Sequence, residues 1–361
     1  MHRCNYYCND DMSSLRKVAE RSQLSVRTVS YILNGGRAAS FQPATRERVE
    51  RAAAELGYRP NSAARAVRQG RFDAIGLLQA TSAGSAAVSY YTLLAIEQEL
   101  WQRDLRLVMS MVPDVRLRAV GRLPQLLREW SVDGLIISYT FNVPGELAET
   151  LDRFEVPSVW LNCKRATDCV YPDDEGAAFA ATRRLIELGH RDVAFAGFYV
   201  GVQHYSFADR RAGYERAMRS AGLSPRLYLP GEDAGAAVPP TDRIAAAARL
   251  WAGAGCKAAS AVLTSGGADE ATPFLIAARD AGNYRPALIG FNDGVMDQAG
   301  VEIATMRVPT FTMGVQATHA VLEKINRRGS EELPAGPMPP IVVPFVFTEG
   351  ATCVPPAGSP A

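Results

Sequence analysis

Six side chains near the N-terminus have types and spacing that could read DNA: Ser25, Val26, Arg27, Thr28, Ser30 and Tyr31. An arginine can donate two hydrogen bonds to guanine, and the methyl groups of valine can contact the methyl group of thymine. The hydroxyl groups can bind phosphates or bases, with the capping of a helix end as the alternative for Thr28 and Ser30. The pattern therefore predicts a DNA-reading surface over residues 25–31.

Positive charge is concentrated around these residues. Between Ser13 and Arg71 the chain has twelve lysine or arginine residues against four glutamates, a net charge of +8, although the whole chain of 361 residues carries +1. A basic segment joined to a mildly acidic remainder indicates a polyanionic partner for that segment, double-stranded DNA in particular. A solvated helical surface is the alternative explanation of the charge alone.

Three short helices are predicted to position the DNA-reading candidates. The first ends near Arg21, the second runs from Val26 to Leu33 with Ser25 as its cap, and the third runs from Pro43 to Gly57. Two helices joined by a tight turn and closed by a third form a helix-turn-helix unit. The second helix of such a unit fits the major groove.

Nothing in the chain nominates a catalytic centre or a cofactor. The four histidines lie in no catalytic or metal-binding motif: His2, His190, His204 and His319. The six cysteines form no C-x-x-C pair, which is typical of reduced thiols in a large chain. A metal held by His2, Cys4 and Cys8 is the alternative, but no second ligand pair follows nearby. We expect no enzyme activity, no metal and no cofactor.

Composition indicates a folded chain of several domains. Hydrophobic residues make up 47% and charged residues 21%, so the chain can bury cores. At roughly 150 residues per domain, the length suggests two or three domains. The sequence has no run of about 18 apolar residues and no apolar core of a signal peptide, so we expect a cytoplasmic protein with no membrane partner.

From Phe72 onward, strands and helices are predicted to alternate. Short apolar runs such as Ile75–Leu78, Gly134–Ile137 and Val193–Ala196 are separated by helical segments. This alternation predicts parallel sheets that are covered on both faces. Two such series imply two lobes with a ligand cleft between them, where the carboxyl ends of the strands converge.

Twelve motifs, in order, resemble the lactose-repressor (LacI/GalR) family of transcription regulators. In the basic segment they are Leu15–Ala19, Leu24–Ser30, Ile32–Asn34, Thr45–Val49, Glu55–Asn61 and Ala63–Arg68. In the remainder they are Val132–Ile137, Asp173–Asp174, Leu185–Arg191, Arg210–Tyr214, Gly290–Asp293 and Ile303–Pro309. The resemblance implies an all-α helix-turn-helix head plus an α/β two-lobed body with parallel sheets, which looks like a periplasmic sugar-binding protein.

The resemblance also implies a hinge helix at 61–71 that folds on operator DNA. Asn61, Ala64 and Val67 would contact DNA there, and Val67 would insert into the minor groove. The family usually has leucine at that position, so a shallower wedge and less kinked DNA are expected. Tyr31 stands where the family commonly has arginine, which implies a different operator half-site.

By the same resemblance, an effector site lies between the lobes. Arg210 corresponds to the arginine that grips ligand hydroxyls or carboxylates, and Asn162 and Asn292 lie at the rim. Trp160 and Tyr139 are candidates for stacking on a ring. The alternatives are an interlobe ion pair for Arg210, turn stabilisation for the two asparagines and ordinary packing for the aromatic residues.

Two departures from the family bear on the effector. The chain reads Thr264–Asp269 where the family often has an Asn-Asp pair, and it has Asn292 where the family usually has aspartate. The loss of two acidic contacts argues against an ordinary neutral sugar. A sugar acid or a similar small molecule, a more anionic ligand, or no ligand at all remain open.

The predicted organisation has five parts: a flexible extension or misplaced start at 1–11, a DNA-binding domain at 12–60, a hinge at 61–71, an effector-binding and dimerisation domain at 72–349, and a flexible tail at 350–361. We expect a ligand-responsive regulator, a repressor by resemblance, that binds a pseudo-palindromic operator as a homodimer. The alternatives are a solute-binding protein without a DNA role and a regulator with a degenerate, effector-free body.

Overall fold

The computed structural model describes residues 14–33, 40–59, 70–80, 88–112, 132–139, 145–198, 204–229, 238–252, 259–283, 286–298, 300–329 and 336–356. The chain divides into two compact units, Met1–Asp73 and Ala74–Ala361. We call them the head and the body. The expected N-terminal extension and most of the expected hinge, 61–69, lie outside the described residues.

The described part of the head contains three helices, as the sequence predicts. They are α1 (Leu15–Ser22), α2 (Val26–Leu33) and α3 (Pro43–Glu55). Ser14 caps α1 by accepting a hydrogen bond from the backbone N–H of Lys17. The three helices bury one shared core, which consists of Val18, Ala19, Val29, Ile32, Val49, Ala52 and Ala53. The buried positions of α2 lie on one face, so its opposite face is left for a partner.

The first sheet of the body has six strands. They are β1 (Ala74–Ala80), β2 (Arg106–Val112), β3 (Gly134–Ser138), β4 (Ser158–Leu161), β5 (Cys169–Pro172) and β12 (Ile341–Val343). Their spatial order is β12-β5-β4-β3-β1-β2, and every pairing is parallel. The helices α4 (Tyr90–Trp101), α5 (Gly145–Arg153) and α10 (Thr310–Arg328) complete this first lobe.

The second sheet has seven strands. They are β6 (Val193–Ala196), β7 (Arg226–Tyr228), β8 (Ala261–Thr264), β9 (Ala287–Asn292), β10 (Met296–Gln298), β11 (Val301–Arg307) and β13 (Val346–Thr348). The order is β10-β11-β9-β8-β6-β7, with β13 also paired to β11. The pairs of β11 with β10 and β13 are antiparallel, and the others are parallel. The described α-helices of this second lobe are α6 (Asp174–Glu187), α7 (Tyr205–Ser220), α8 (Arg243–Ala252) and α9 (Ala268–Asp280).

Each sheet has an apolar core on both of its faces. In the first lobe α4 and α10 cover one face, while α5 covers the other. In the second lobe α6 and α7 cover one face, while α8 and α9 cover the other. This arrangement confirms the predicted parallel sheets between helical layers, because a strand buried on both faces is apolar at every position.

The chain passes between the lobes three times. It crosses from β5 in the first lobe to α6 in the second, from β11 back to α10, and from β12 to β13. Helix α10 and the short strands β12 and β13 were not predicted from the sequence. Strands of three residues carry too little periodicity to be recognised, and their partners are more than 30 residues away in sequence.

The prediction of a flexible tail from residue 350 is wrong for residues 350–356. Thr352 is buried, and its hydroxyl donates to Leu288 O and accepts from the N–H of Ala304. Val354 packs in the core of the second lobe, and its carbonyl accepts a hydrogen bond from His190 Nε2 at 2.8 Å. These contacts hold the segment because they satisfy its polar groups inside the lobe.

Candidate functional sites

The N-terminus of α2 is held by a pair of hydroxyl groups. Ser25 Oγ accepts a hydrogen bond from the backbone N–H of Thr28 at 3.0 Å, and the two side-chain oxygens are 2.8 Å apart. Ser25 therefore caps the helix as predicted, and the hydroxyl of Thr28 contacts the capping side chain. Contact of either hydroxyl with DNA stays a prediction. Both hydroxyls fix where α2 begins, which sets the direction in which the next side chains point.

Beyond this cap, α2 presents an exposed face. Val26 is 45% exposed and Arg27 is exposed, while Val29 and Ile32 are buried on the opposite side. Arg27 Nε donates to the hydroxyl oxygen of Tyr31 at 3.2 Å. The outer face of the helix thus holds a methyl-bearing side chain and an oriented guanidinium, the two groups that the sequence proposed for base contact.

The remaining DNA candidates fall into two groups. Ser30 is half-buried on α2, within reach of the exposed face. Asn61, Ala64 and Val67 lie outside the described residues, so their contacts with DNA stay predictions.

In the second lobe, the side chain of Arg210 is held by polar and aromatic neighbours. Near the start of α7, its Nε donates to Asp174 Oδ1 at 2.7 Å and its Nη1 donates to Ser265 O at 2.7 Å. Its guanidinium carbon lies 4.1 Å from the centre of the Phe291 ring, and its side chain is 12% exposed. The alternative of an ion pair is thus realised, but within one lobe, because α6 and α7 belong to the same lobe.

Two buried carboxyl groups lie near this guanidinium. Asp174 is fully buried, and its Oδ2 has no hydrogen-bond partner among the described residues. Burial raises the pKa of Asp174 more than the charge of Arg210 lowers it. Glu270 is also buried, accepts hydrogen bonds from Ser265 Oγ at 2.5 Å and Phe198 N at 3.2 Å, and has a pKa raised by burial.

Neither carboxyl group was predicted as a site residue. Of the adjacent pair Asp173 and Asp174, the first caps α6 by accepting a hydrogen bond from Gly176 N at 2.9 Å. Asp174 is not needed for the cap. The sequence signal for a site was therefore a second acidic residue, Asp174, at the first position of a helix that follows a buried strand.

Asn162 connects the two lobes. It follows β4 with a left-handed backbone (φ 55°), and its side-chain Oδ1 accepts a hydrogen bond from the hydroxyl of Tyr205 at 2.9 Å. Its backbone carbonyl lies 3.3 Å from His204 Nε2, the ring nitrogen that must donate here. Burial lowers the pKa of His204. The backbone of Asn162 thus forms a turn while its side chain bonds to Tyr205, and its contact with an effector stays a prediction.

Ion pairs and hydrogen bonds between the lobes extend beyond Asn162. Lys164 Nζ lies 2.7 Å from Asp209 Oδ2 on the same side. Elsewhere, Ser89 Oγ donates to Asp293 Oδ2 at 2.6 Å, which joins the cap of α4 to the end of β9. The polar contacts at two separated places hold the lobes against each other.

The other effector candidates differ in exposure. Asn292 ends β9 half-buried, and its amide nitrogen lies 3.4 Å from Gly294 O, as a turn-stabilising side chain does. Tyr139 is fully buried in the first lobe. Trp160 is 4% exposed, and the Arg165 guanidinium covers its ring at 4.5 Å. Packing accounts for both aromatic rings, and their contact with a ligand stays a prediction.

The described part of the chain contains neither a candidate membrane-spanning helix nor a candidate metal site. None of its helices is both long enough and apolar enough to cross a membrane. No three histidine, cysteine, aspartate or glutamate side chains among those described converge as metal ligands would. His2, Cys4 and Cys8 lie outside the described residues.

Family models match most of the chain. Residues 14–61 match the model of bacterial regulatory proteins of the lacI family. Residues 73–233 match the periplasmic binding proteins and sugar binding domain of the LacI family, and residues 182–344 match a periplasmic binding protein-like domain. The two matches in the body overlap, and each of them reaches into both lobes.

Individual proteins agree with the family models. The chain is 25% identical to the HTH-type transcriptional regulator RegA of Clostridium saccharobutylicum over 331 residues, 89% of this chain and 95% of that protein. A crystal structure of the lac repressor dimer bound to operator and the anti-inducer ONPF has a TM-score of 0.72 at 20% identity, covering 95% of this chain and 99% of that one. A complex of the regulator CelR with cellobiose has a TM-score of 0.59 at 23% identity, covering 94% and 99%. The structural likenesses establish the fold.

Proposed function

The chain belongs to the lacI family of bacterial regulatory proteins, and on this premise we propose that it represses transcription from a pseudo-palindromic operator as a homodimer. A small molecule between the lobes changes its affinity for DNA. The observation that carries the proposal is the outer face of α2, where Val26 and Arg27 are exposed on a helix that its cap and core hold rigidly. The related proteins it matches are transcriptional regulators, and we assign no catalytic role.

Homodimerisation follows from the size of the head. One three-helix unit covers one half-site, and tight specificity needs a second unit on the other half-site. The first lobe offers a surface for a second copy. Tyr90 and Trp101 at the ends of α4, and Met109 and Met111 on the edge strand β2, are each half or more exposed. We propose that these four side chains belong to the surface that the second copy covers, because a contiguous exposed apolar patch marks an interaction surface.

The effector site we propose is centred on Arg210, Asp174 and Glu270. The unpaired Oδ2 of Asp174 accepts a hydrogen bond from a ligand hydroxyl or amine, and two N–H groups of Arg210 Nη2 remain for a ligand oxygen. With two carboxyl groups beside a single guanidinium, a sugar or sugar acid fits better than a strongly anionic ligand. Ligand binding shifts the equilibrium only if the ligand has different affinities for the two lobe arrangements.

A binding experiment with Arg27→Ala tests the DNA role. We expect the full-length protein to select a pseudo-palindrome from random duplexes, and Arg27→Ala to lose about 1–3 kcal/mol of discrimination at one base pair in each half-site. The measurement is fluorescence anisotropy on operator variants over a series of salt concentrations. If Arg27→Ala weakens all duplexes equally and only lowers the salt dependence, Arg27 contacts phosphate instead. A wild-type protein that selects nothing would support the solute-binding alternative.

A thermal-shift screen tests the effector site. Sugars, sugar acids and nucleosides are added to the full chain, and a ligand present at 100 times its Kd should stabilise the body by about 2.7 kcal/mol. A domain of this size should then melt roughly 5–10 °C higher. An unchanged melting temperature across the panel, together with intact operator binding, is the result expected of a regulator with an effector-free body.

A further inference from the structure

Within α2, Tyr31 holds the guanidinium of Arg27 by two contacts. The residues are four positions apart, so their side chains lie over each other on the helix surface. Arg27 Nε donates to the Tyr31 hydroxyl oxygen at 3.2 Å, and the guanidinium carbon lies 5.6 Å from the centre of the tyrosine ring. Tyr31 itself is half-buried, and it lies on the helix whose Val29 and Ile32 are buried in the core of the head. The partner of Arg27 therefore belongs to a helix that is packed in the head.

The atom of Arg27 that bonds to Tyr31 determines which of its N–H donors remain for DNA. A guanidinium carries five N–H groups in one plane, one on Nε and two on each terminal nitrogen. The tyrosine hydroxyl takes the Nε donor. The two terminal nitrogens stay available as a planar fork, and such a fork matches the O6 and N7 acceptors of guanine in the major groove.

The hydrogen bond also reduces the freedom of a long side chain. An unattached arginine samples many rotamers, and it loses that freedom when it binds a base. A side chain already oriented by its neighbour loses less, so more of its interaction energy appears as affinity for the correct base. A phosphate contact would gain little from this orientation, because phosphate positions tolerate many approach angles.

We propose that Tyr31 is a positioning residue for base recognition, which orients Arg27 so that its terminal nitrogens read one guanine in each half-site. The inference rests on the proposed DNA-binding function. It differs from the expectation that residue 31 contacts DNA directly, which the resemblance implied for an arginine. Tyr31 acts through Arg27, so one base pair depends on two residues of the helix.

The test is a double-mutant cycle in the full-length protein. Tyr31→Phe keeps the ring and its packing but removes the hydroxyl. We expect it to lower the preference for guanine over adenine at the base pair read by Arg27 by about three- to tenfold. Affinity for unrelated duplexes and the slope of affinity against salt should stay as in the wild type. In the Arg27→Ala background, Tyr31→Phe should have no further effect at that base pair.

A chemically modified operator gives a second measurement of the contact between Arg27 and guanine. Replacing that guanine by 7-deazaguanine removes the N7 acceptor, and the loss of affinity should be smaller for Tyr31→Phe than for the wild type. Circular dichroism melting of the head transition verifies that the variant is folded.

Three outcomes would overturn the inference. An unchanged guanine preference in Tyr31→Phe means that the hydroxyl does not position Arg27. An equal loss in the wild-type and Arg27→Ala backgrounds means that Tyr31 contacts the DNA itself. If the wild-type protein selects no sequence, the proposed function fails and this inference with it, a result that is distinct from the other two.

Discussion

Replacing Arg210 with alanine should lower the free energy of unfolding of the body by about 3–5 kcal/mol. The substitution leaves Asp174, which is fully buried, without the guanidinium that contacts it, and it removes the donor to Ser265 O. Truncating one partner of a buried ion pair is costly because the other charge stays out of water. The ring of Phe291 also loses the guanidinium that covers it.

The pH dependence of stability tests whether the buried charge of Asp174 causes the loss in Arg210→Ala. Burial already raises the pKa of Asp174, and removing the positive charge raises this pKa further. A carboxyl group whose pKa is higher in the folded state binds protons there first, so acid favours folding relative to neutral pH. The stability deficit of Arg210→Ala against the wild type should therefore be largest at neutral pH and should narrow as the pH falls toward the pKa of Asp174.

The measurement is urea unfolding of the full chain at several pH values. The control is Arg210→Ala combined with Asp174→Asn, which removes the buried charge and should recover part of the loss. The response to any effector found in the thermal screen should be lost in both variants. A deficit below about 1 kcal/mol that does not vary with pH would show that the pair contributes little to stability.

Gly213→Ala should destabilise the body by about 3 kcal/mol, and this is the second large effect. Gly213 lies in α7 where this helix crosses α6, and a Cβ atom added there would lie 2.1 Å from Glu175 O and 2.9 Å from Glu175 C. These are backbone atoms, so neither can rotate away. Without the neighbouring helix the sign would be opposite, since alanine favours a helix interior over glycine by about 1 kcal/mol.

A matched control separates the clash from general effects of the substitution. Gly145 begins α5, and a Cβ atom there would meet no atom within 4 Å. Gly145→Ala should leave the urea midpoint unchanged or raise it slightly. Equal midpoints for Gly213→Ala and the wild type would mean that α6 and α7 can separate at no cost, contrary to the close packing described above.

Much of the fold follows from local patterns. Helical spacing, caps and stops predict the three helices of the head within a few residues, because Ser14, Ser25 and the buried stripe of α2 act over four residues or fewer. The continuous apolar runs of β1, β3 and β6 likewise predict strands that are covered on both faces. The exposure of Val26 and Arg27 follows from the same periodicity.

Other features needed the tertiary structure. Proline is common in the first turn of a helix, but α9 begins at Ala268 and contains Pro273 in its second turn. In the first turn of α9, Glu270 and Ala271 are buried, and Glu270 accepts a hydrogen bond from Ser265 Oγ just after β8. Tertiary packing can override the preference of proline for the first turn of a helix, because the packing energy comes from residues far away in sequence.

The sequence by itself determined which residues of the head are helical and which segments of the chain are apolar or basic, and so a DNA-reading head and a two-lobed α/β body. It did so because capping, periodicity and charge act between near neighbours in the chain. Only the tertiary structure decided that Arg210 is bound to Asp174 within one lobe, that Asn162 meets Tyr205 across the lobes, and that Gly213 allows two helices to touch. These relations join residues 36 to 43 positions apart, or backbones in close contact, and such distances are set by how the whole chain packs.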